Sequence, residues 1–349
     1  MSIIDDATIT KDQLNSLRQE LRSTRKKALT WLTDRIGDDG RPEGAELGNA
    51  WWRAPWALVV GGAPDVAAAM LGWIEREALT DEADLRPGPF GGDGPGTPVY
   101  HLSPLAIASW LLGRYSTANA VMDRLEHWTD QNTGGAYENQ DFAANPIQDT
   151  LKTCQLGVSA LVTGRTQVSE GVYRWLQASW SGQPDLPNKL YTSMANGSVV
   201  TSFSDTEKLM RVVDFRKPRQ LYYHPGIAGA FLAGHAQQTG NREALALGND
   251  YLALNKVGTS EQFYDRPSSQ ICKFGWGAAA MHVAAPETNQ LPWVTKMGEW
   301  FIDRQFPEGY WAPSPFLSPH EPGLLDHFWK TSEHIMEVSY IEQAIAASL

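Results

Sequence analysis

Three stretches decide the fold: GIAGAFLAGHA at 226–236, FGWGAAAMHVAA at 274–285 and CQLGVSALV at 154–162. Each stretch is long enough for two or more helical turns, and each carries apolar or small residues on every side. A helix that is apolar all round is buried all round. The glycines also allow neighbouring backbones to approach closely. The three stretches therefore predict helices that lie inside a shell of other helices.

Apolar residues recur with helical periodicity along most of the chain, and loops rich in Gly, Pro, Asn and Asp separate the periodic segments. We predict twelve helices, at 10–37, 49–60, 64–79, 101–113, 117–130, 145–162, 167–180, 224–238, 241–254, 268–284, 291–305 and 323–348. The even-numbered helices are apolar, whereas the odd-numbered ones are amphipathic. This alternation indicates an inner and an outer ring, the all-α (α/α)6 toroid. A helical solenoid is the alternative, but it would show a fixed repeat length, and the spacing here is irregular.

The pattern changes between 189 and 217. The segments KLYTSMANGSVVTSF at 189–203 and KLMRVVDF at 208–215 are rich in Val, Tyr, Thr and Phe. Asn-Gly lies between two of these β-type runs, and Asn-Gly in that position is a strong signal for a hairpin turn. We predict a small β-hairpin insertion around 189–217, within a single toroid domain that spans 1–349.

Composition excludes several classes of function. The chain has 349 residues, 42% of them hydrophobic, and a formal net charge of −11. An acidic surface argues against nucleic acid and anionic membranes as partners. Two cysteines are too few for a secreted disulfide scaffold, and the polar N-terminus has no signal-peptide pattern. We expect a cytoplasmic protein, with no membrane insertion, that binds a small-molecule substrate and could form a homodimer.

Histidines open two of the predicted inner helices. His101 and His224 each follow an aromatic residue at such a start. The inner helices of a toroid line its central cavity, so both side chains are candidates for a general acid and base that work near neutral pH. The alternative is that each histidine packs on a loop. Asp149 and Lys273 also stand near the starts of inner helices, and we expect them to orient the pair.

The last predicted inner helix offers a further titratable face. His327, Lys330 and His334 share one side of this helix by their spacing. We expect the two histidines to assist the acid and base. The chain has no zinc-type spacing of Cys and His, and it has no phosphate-loop or dinucleotide fingerprint in a strand-to-helix context. We therefore predict neither a metal nor a cofactor.

A set of large side chains at the same helix starts is expected to enclose the substrate and exclude water. The predicted substrate-binding residues are Trp51, Trp52, Arg53, Tyr100, Tyr222, Tyr223, Trp276 and Trp329.

Two known kinds of toroid share motifs with this chain. The segment DQNTGGAYENQDFAANPIQDTLKTCQLGVSALVTG at 130–164 resembles the N-acylglucosamine 2-epimerase superfamily, with its Gly-Gly-aromatic loop, acidic residue, early helical Lys and Thr-Gly ending. The segments WLTDRIGDDGRPEG at 31–44 and WFIDRQFPEGYW at 300–311 resemble helix-end loops of squalene-cyclase-like terpenoid toroids. The Asp-rich acid motif of class II terpene cyclases is missing. These resemblances imply the toroid fold.

The two cysteines occupy comparable places in two echoed segments of the chain, 134–161 and 260–281. Buried cysteine usually acts as a small hydrophobic residue. The alternative comes from a resemblance to linalool dehydratase-isomerase, a toroid with cysteines in its site. It implies that Cys154 and Cys272 are catalytic and face each other across the cavity.

The sequence leaves three functions open. The first is an isomerase, epimerase, cyclase or lyase that needs no cofactor and moves protons on a small isoprenoid-like or sugar-like molecule. The second is a carbohydrate-processing hydrolase or lyase, which needs two carboxylates across a cleft, such as Asp149 with Asp326 or Asp265. The third is a non-catalytic binding subunit. Two opposed carboxylates would favour the second function, and a plugged cavity would favour the third.

Overall fold

Twelve helices of eight residues or more make up most of the described chain. The structure is a computed structural model, and it describes residues 9–91, 94–268, 271–316 and 320–349. The α-helices are, in chain order, α1 (Lys11–Thr33), α2 (Ala54–Gly61), α3 (Pro64–Trp73), α4 (Val99–Leu111), α5 (Tyr115–His127), α6 (Thr150–Thr163), α7 (Thr166–Ser181), α8 (Lys208–Arg211), α9 (Tyr223–Thr239), α10 (Arg242–Val257), α11 (Glu261–Tyr264), α12 (Cys272–Ala284), α13 (Leu291–Arg304) and α14 (Leu324–Ala346). A π-helical turn at Ile74–Ala78 continues α3.

Six of these helices contact one another in a closed cycle. Helix α2 packs on α4, α4 on α6, α6 on α9, α9 on α12, α12 on α14, and α14 packs back on α2. The other six long helices, α1, α3, α5, α7, α10 and α13, pack against this inner ring from outside. Most residues of α9 and α12 are buried, as their all-round apolar sequence requires. The (α/α)6 toroid predicted from the alternation of helix types is confirmed.

Glycines bring α9 and α12 into direct backbone contact. A Cβ atom added to Gly226 would lie 2.2 Å from the carbonyl carbon of Lys273, and one added to Gly277 would lie 2.3 Å from the carbonyl oxygen of Gly226. No real side chain fits at such distances, so the crossing depends on glycine at both positions. The crossing fixes Lys273 close to the start of α9, where His224 stands.

The predicted hairpin is present between β3 (Ser193–Ala195) and β4 (Ser198–Val199). Asn196 and Gly197 connect these strands with φ values of 51° and 76°, the positive pair that a two-residue type I′ turn needs. The insertion extends further than one hairpin. Strand β1 (Gln148–Asp149) pairs with β3, and β2 (Lys189–Tyr191) pairs with β5 (Val212–Asp214). The insertion is thereby attached to the residues that lead into α6.

Two predicted helices begin later than their sequence pattern suggests. The predicted helix at 145–162 starts at Thr150, because Asp149 adopts an extended conformation and caps α6 with its side chain. The predicted helix at 49–60 starts at Ala54, and residues 50–53 form a turn before it. Trp51, Trp52 and Arg53 therefore stand in the segment that enters α2.

Three further expectations concern the ends of elements and the membrane. The predicted helix at 268–284 starts at Cys272, and residues 269 and 270 lie outside the described residues. Residues 1–8, on which the expectation about a signal peptide depends, lie outside them as well. Across the described ranges, every helix is too short or too polar to cross a bilayer.

Candidate functional site

A cavity of about 510 Å³ lies where α4, α6 and α9 begin. Its wall consists of Asn49, Gly91, Gly94, Pro95, Gly96, Thr97, Pro98, Tyr100, His101, Glu138, Asn139, Asp149, Leu151, Lys152, Met210, Arg211, Tyr223 and His224. Five of the residues predicted from the sequence meet there: Tyr100, His101, Asp149, Tyr223 and His224. They come from three inner helices or their caps, as expected for a site at one end of a toroid.

His224 is a buried histidine whose ring nitrogens are both unpaired. The residue is 3% exposed, and neither nitrogen has a hydrogen-bond partner among the described residues. Its ring centroid lies 4.4 Å from that of Tyr223. Burial lowers the pKa of His224 to about 3, and the positive charge of Lys273 adds to this effect. A neutral imidazole therefore borders the cavity with its hydrogen-bonding capacity unused, and a ligand could satisfy it.

His101 stands on α4 in the same cavity. Its ring packs edge-on against Trp52, with 5.0 Å between the ring centroids. Burial lowers the pKa of His101 to about 4, with smaller contributions from the charges of Lys152 and Arg53. Both cavity histidines are thus neutral near pH 7. A neutral imidazole can accept a proton at one nitrogen and donate one from the other.

Asp149 and Lys152 stand together at the start of α6. The Asp149 Oδ1 accepts a hydrogen bond from the backbone N–H of Lys152 at 2.8 Å. The Lys152 Nζ donates to the carbonyl oxygen of Glu138 at 2.6 Å and to the Thr97 hydroxyl at 3.2 Å. Burial raises the pKa of Asp149, although Lys152 opposes the shift, and burial lowers the pKa of Lys152. The pair joins α6 to two loops of the cavity wall.

The β-insertion contributes another part of the wall through Arg211. This side chain is 7% exposed and forms an ion pair with the carboxylate of Glu138. It also donates to the hydroxyl of Ser193 at 3.1 Å. Arg211 is the last residue of α8 and Glu138 lies in the long loop before α6, so the pair ties the insertion to the body of the toroid.

A buried charge cluster lies beside the cavity, centred on Glu333 of α14. We define the Glu333 cluster as Arg53, Lys273, Lys330 and Glu333. Glu333 accepts from Arg53 at 2.6 Å, from Lys330 at 2.7 Å and from Lys273. All four side chains are at most 4% exposed. Burial alone would raise the pKa of Glu333, but the three cations outweigh it and hold this pKa well below its ordinary value.

Two tyrosines connect the Glu333 cluster with the cavity. The guanidinium carbon of Arg53 lies 5.0 Å from the ring centroid of Tyr100, and the Lys273 Nζ lies 5.5 Å from that of Tyr223. Both tyrosines line the cavity. The cluster is therefore next to the cavity, directly behind the tyrosine rings.

Four residues near the cluster could in principle hold a cation. One ligand atom each of Cys272, Glu333, His334 and Glu337 lies within 4.8 Å of the others. However, the Lys330 Nζ is 3.9 Å from the Cys272 sulfur and bonds Glu333 as well. Burial raises the pKa of Cys272 to about 12, so its thiol is protonated. The ammonium group of Lys330 already bonds the carboxylate of Glu333 and lies beside the thiol, so a cation at this donor set would have to displace it.

The remaining predicted catalytic residues stand away from the cavity wall. His334 bonds Glu337 at 2.8 Å and packs with its ring against Phe301. The ring of His327 lies 4.2 Å from that of Tyr310. The structure therefore does not bring these two histidines together with His101 and His224.

The two cysteines have different surroundings. Cys154 and Cys272 are both buried free thiols. Burial raises the pKa of Cys154 well above its ordinary value, and the charge of Asp149 adds to the shift. The charged groups around Cys272 belong to α12 and α14, among them Glu337 and Lys330. Neither cysteine lines the cavity, so the catalytic thiol pair stays a prediction.

Of the residues predicted to bind the substrate, some line or border the cavity and others lie away from it. Tyr100 and Tyr223 line the cavity, and Trp52 packs against Tyr100 with 5.0 Å between ring centroids. The others pack elsewhere: Trp51 on Trp73 and Phe90, Trp276 on Tyr340 and Trp56, Trp329 near the ammonium of Lys330, and Tyr222 with its hydroxyl on the carbonyl of Lys217.

Four charged residues of the cavity wall or the adjoining cluster were not among the predicted site residues: Glu138, Lys152, Arg211 and Glu333. Glu333 carried a signal, because it and Glu337 lie four residues apart on a predicted inner helix, and carboxylates are almost never fully buried unless they are paired. Glu138 and Arg211 come from a loop and an insertion, where periodicity gives no guidance.

Comparisons with known proteins establish the fold alone. No family model matches the chain, and no curated protein is similar enough in sequence to match it. Among solved structures, a D-mannose isomerase has a TM-score of 0.64 and 11% identity, over 94% of this chain and 97% of that one. A GH76 α-mannanase of Bacteroides thetaiotaomicron has a TM-score of 0.58 and 12% identity, over 94% and 96%.

A third neighbour extends the range of activities. A type II terpene cyclase from Scytonema, in complex with geranylgeranyl dihydroxybenzoate, has a TM-score of 0.57 and 11% identity, over 95% of this chain and 99% of that one. The chain shares the (α/α)6-toroid fold with all three enzymes. An isomerase, a hydrolase and a cyclase use this fold, so the fold does not select the reaction.

Proposed function

We propose that this protein is an isomerase or epimerase that moves a proton within a small, polar, sugar-like molecule. The observation that carries the proposal is the meeting of His101 and His224, from two different inner helices, in the wall of one cavity. Both are neutral near pH 7, and both nitrogens of His224 are unpaired among the described residues. A cavity of about 510 Å³ is within the range of small-molecule sites.

The polarity of the wall favours a sugar-like substrate over an isoprenoid. Glu138, Asp149, Lys152 and Arg211 all line the cavity beside the two histidines. A hydrocarbon chain would take water away from these groups and offer them no further hydrogen bonds, which costs free energy. A polyhydroxylated molecule would instead supply donors and acceptors to them. The D-mannose isomerase among the structural neighbours acts, by its name, on a molecule of this kind.

Proton transfer between the two histidines requires no group outside the chain. One neutral histidine takes the proton from the carbon beside a carbonyl group, and the other gives a proton to the carbonyl oxygen. The product of this step is an enediol. Transfer of a proton to the neighbouring carbon, with loss of the hydroxyl proton from the first carbon as its oxygen becomes the new carbonyl, completes an isomerisation. Transfer to the other face of the first carbon, with loss of the hydroxyl proton that had been added to the original carbonyl oxygen, completes an epimerisation. We assign His224 as the base, because both of its nitrogens are free to bond a substrate, and His101 as the acid.

Solvent exchange tests the proposal directly. The full chain is incubated in D2O with a panel of aldoses and ketoses, and deuterium at the carbon beside the carbonyl is measured by NMR together with the formation of ketose. We expect exchange that falls by about 10²-fold or more in His224→Asn and in His101→Asn. His235→Asn is the matched control, because His235 is a buried histidine of α9 that stacks on Tyr173 away from the cavity. Exchange that persists in both cavity variants would refute the assignment.

Carbohydrate hydrolysis is the second candidate function, favoured by two acidic residues in the wall. Asp149 and Glu138 both line the cavity. The other carboxylates considered are bound elsewhere: Asp265 pairs with Arg219 at 3.1 Å, and Asp326 lies 3.2 Å from His320. Release of reducing ends from mannan oligosaccharides, lost in Glu138→Gln, would establish hydrolysis in place of isomerisation.

One comparison weakens this second candidate. A GH76 α-1,6-mannanase variant with two consecutive aspartates replaced is described as inactive. The consecutive aspartates in the described part of this chain are Asp38 and Asp39, which are exposed in the loop after α1 and do not line the cavity. A non-catalytic subunit is also disfavoured, because the cavity is lined with polar groups and not filled by side chains.

A further inference from the structure

The Glu333 cluster contains more positive than negative charge. Arg53, Lys273 and Lys330 are three cations, and Glu333 is the one carboxylate that bonds them. The next carboxylate is Glu337, which is buried, carries one oxygen without a partner among the described residues, and is bonded by His334 at 2.8 Å. Three positive charges therefore face two negative ones.

Neighbouring groups do not remove this surplus. Burial holds the thiol of Cys272 protonated, because it raises the pKa of that group to about 12. Burial lowers the pKa of His334, so this ring adds no second charge of its own near pH 7. In the cavity wall, Arg211 pairs with Glu138 and also with the exposed carboxylate of Glu207 at 3.4 Å, and Lys152 stands beside Asp149, so the wall adds no positive surplus. Within the buried Glu333 cluster, one positive charge remains unmatched, in a chain whose net charge is −11.

An unmatched buried charge is costly, and a bound anion offsets the cost. Arg53 has donors that Glu333 does not use, because its Nη1 bonds Glu333 while Tyr100, which lines the cavity, is the other neighbour of its guanidinium. The residue is 1% exposed and lies behind the ring of Tyr100. Lys273 holds the equivalent place behind Tyr223. Two cations of the cluster thus lie against the two tyrosine side chains that line the cavity.

We propose that the substrate is a monosaccharide-sized molecule with a permanent anionic group, a carboxylate or a phosphate, which binds over Tyr100 and Tyr223 towards Arg53 and Lys273. The inference rests on the proposed function, since it takes this cavity as the substrate site. It goes further by defining the substrate class as sugar acids or sugar phosphates. Neutral sugars would leave the positive charge unmatched and would bind more weakly.

Binding of matched ligand pairs to the full chain tests the substrate class. Calorimetry compares D-glucuronate with D-glucose, and D-glucose 6-phosphate with D-glucose, at low and high KCl. We expect at least one anionic member to bind about tenfold or more tightly than glucose, with a smaller preference at high salt. The glucuronate and phosphate measurements tell which anion the site accepts. If glucose binds as tightly as both anionic ligands, the inference is wrong.

Substitutions of single lysines test which positive charge produces the preference for anionic over neutral ligands. Lys273→Met removes the surplus charge, and Lys26→Met removes an exposed charge of α1 as the matched control. We expect the ratio of anionic to neutral affinity to fall to about one in Lys273→Met and to stay at the wild-type value in Lys26→Met. Lys330→Met is the second variant, in case Lys273→Met does not fold. A ratio unchanged in every folded variant of the cluster would overturn the assignment.

The D2O experiment separates this inference from the proposed function. Deuterium exchange with neutral sugars but not with sugar acids or phosphates would leave the proton-transfer function standing and refute the anionic substrate. Anion-selective binding that depends on Lys273, with no exchange into any bound ligand, would support the substrate class and refute the isomerase.

Discussion

The Asp149 Oδ1 accepts a hydrogen bond from the backbone N–H of Lys152 at 2.8 Å, and Asp149 also lines the cavity. One carboxylate thus caps α6 and borders the cavity. The two roles predict different responses to substitution. Asp149→Asn keeps a capping oxygen and should preserve stability, whereas Asp149→Ala should lower the free energy of unfolding by about 1 kcal/mol. Urea denaturation measures the difference.

The same pair of variants reveals whether the charge of Asp149 matters to the reaction. If the carboxylate orients Lys152 and the substrate, Asp149→Asn will lose activity although it stays as stable as the wild type. Equal activity in Asp149→Asn and the wild type would limit the residue to its capping role.

In the Glu333 cluster, removal of the negative charge is expected to lower stability more than removal of one positive charge. Glu333→Gln leaves three buried cations with Glu337 as the nearest carboxylate, and it should lower the free energy of unfolding by about 3–5 kcal/mol. Lys330→Met removes one cation of a surplus and should cost much less. Thermal denaturation of both variants at equal ionic strength makes the comparison. Equal destabilisation by the two substitutions would contradict the charge surplus.

The crossing of α9 and α12 predicts a strong effect of a single methyl group. Gly226→Ala places a Cβ atom against the backbone of Lys273, which cannot move like the end of a side chain, so we expect a loss of about 3 kcal/mol or failure to fold. Gly94→Ala is the control, because its Cβ atom would meet nothing within 4 Å. Circular dichroism and denaturation measure both variants. Wild-type stability in Gly226→Ala would mean that the crossing is looser than described.

The two cavity histidines predict that the protein becomes less stable as the pH decreases below 6.5. Their pKa values are about 4 for His101 and about 3 for His224, below the ordinary value of 6.5. The unfolded chain takes up protons as the pH falls through 6.5 while the folded chain does not. The free energy of unfolding therefore has its full value above pH 6.5. It decreases as the pH falls towards about 4 for His101 and about 3 for His224, by at most about 1.4 kcal/mol per pH unit for each group.

Urea denaturation at about pH 7 and about pH 5 measures this dependence. The double variant His101→Asn, His224→Asn should show a flatter dependence than the wild type, and His320→Asn, at an exposed position, should not. An identical slope in the double variant and the wild type would mean that the two rings are not held neutral.

Periodicity in the sequence predicted the toroid well. Helix type alternates along the chain because each inner helix must be apolar on all sides, and the Asn196–Gly197 turn of the insertion follows from local conformational preference. The starts of α2 and α6 were placed too early. At α6 the N-cap residue decides where the helix begins, since Asp149 adopts an extended conformation and the helix starts only after it.

The candidate site was only partly predictable. His101, His224 and Asp149 meet because the starts of α4, α6 and α9 lie around one cavity, and the sequence shows each start. Glu138 and Arg211 meet through a loop and an insertion whose path depends on tertiary contacts. His327 and His334 share a helical face by spacing, yet their side chains pack on Tyr310 and Phe301 instead of the cavity. Spacing along a helix shows which residues share a face, but it does not show which part of the protein that face contacts.

The bond between Arg53 and Glu333 joins residues that are 280 positions apart in the chain. During synthesis on the ribosome, Arg53 and the start of α2 emerge long before α14 exists. Helices α2 to α12 can therefore form only an open arc at first, in which the cations of α2 and α12 must stay hydrated. The arrival of α14 closes the ring and allows these charges to be buried in the same event. A nascent chain thus cannot bury the Glu333 cluster behind the cavity until its last inner helix has left the ribosome.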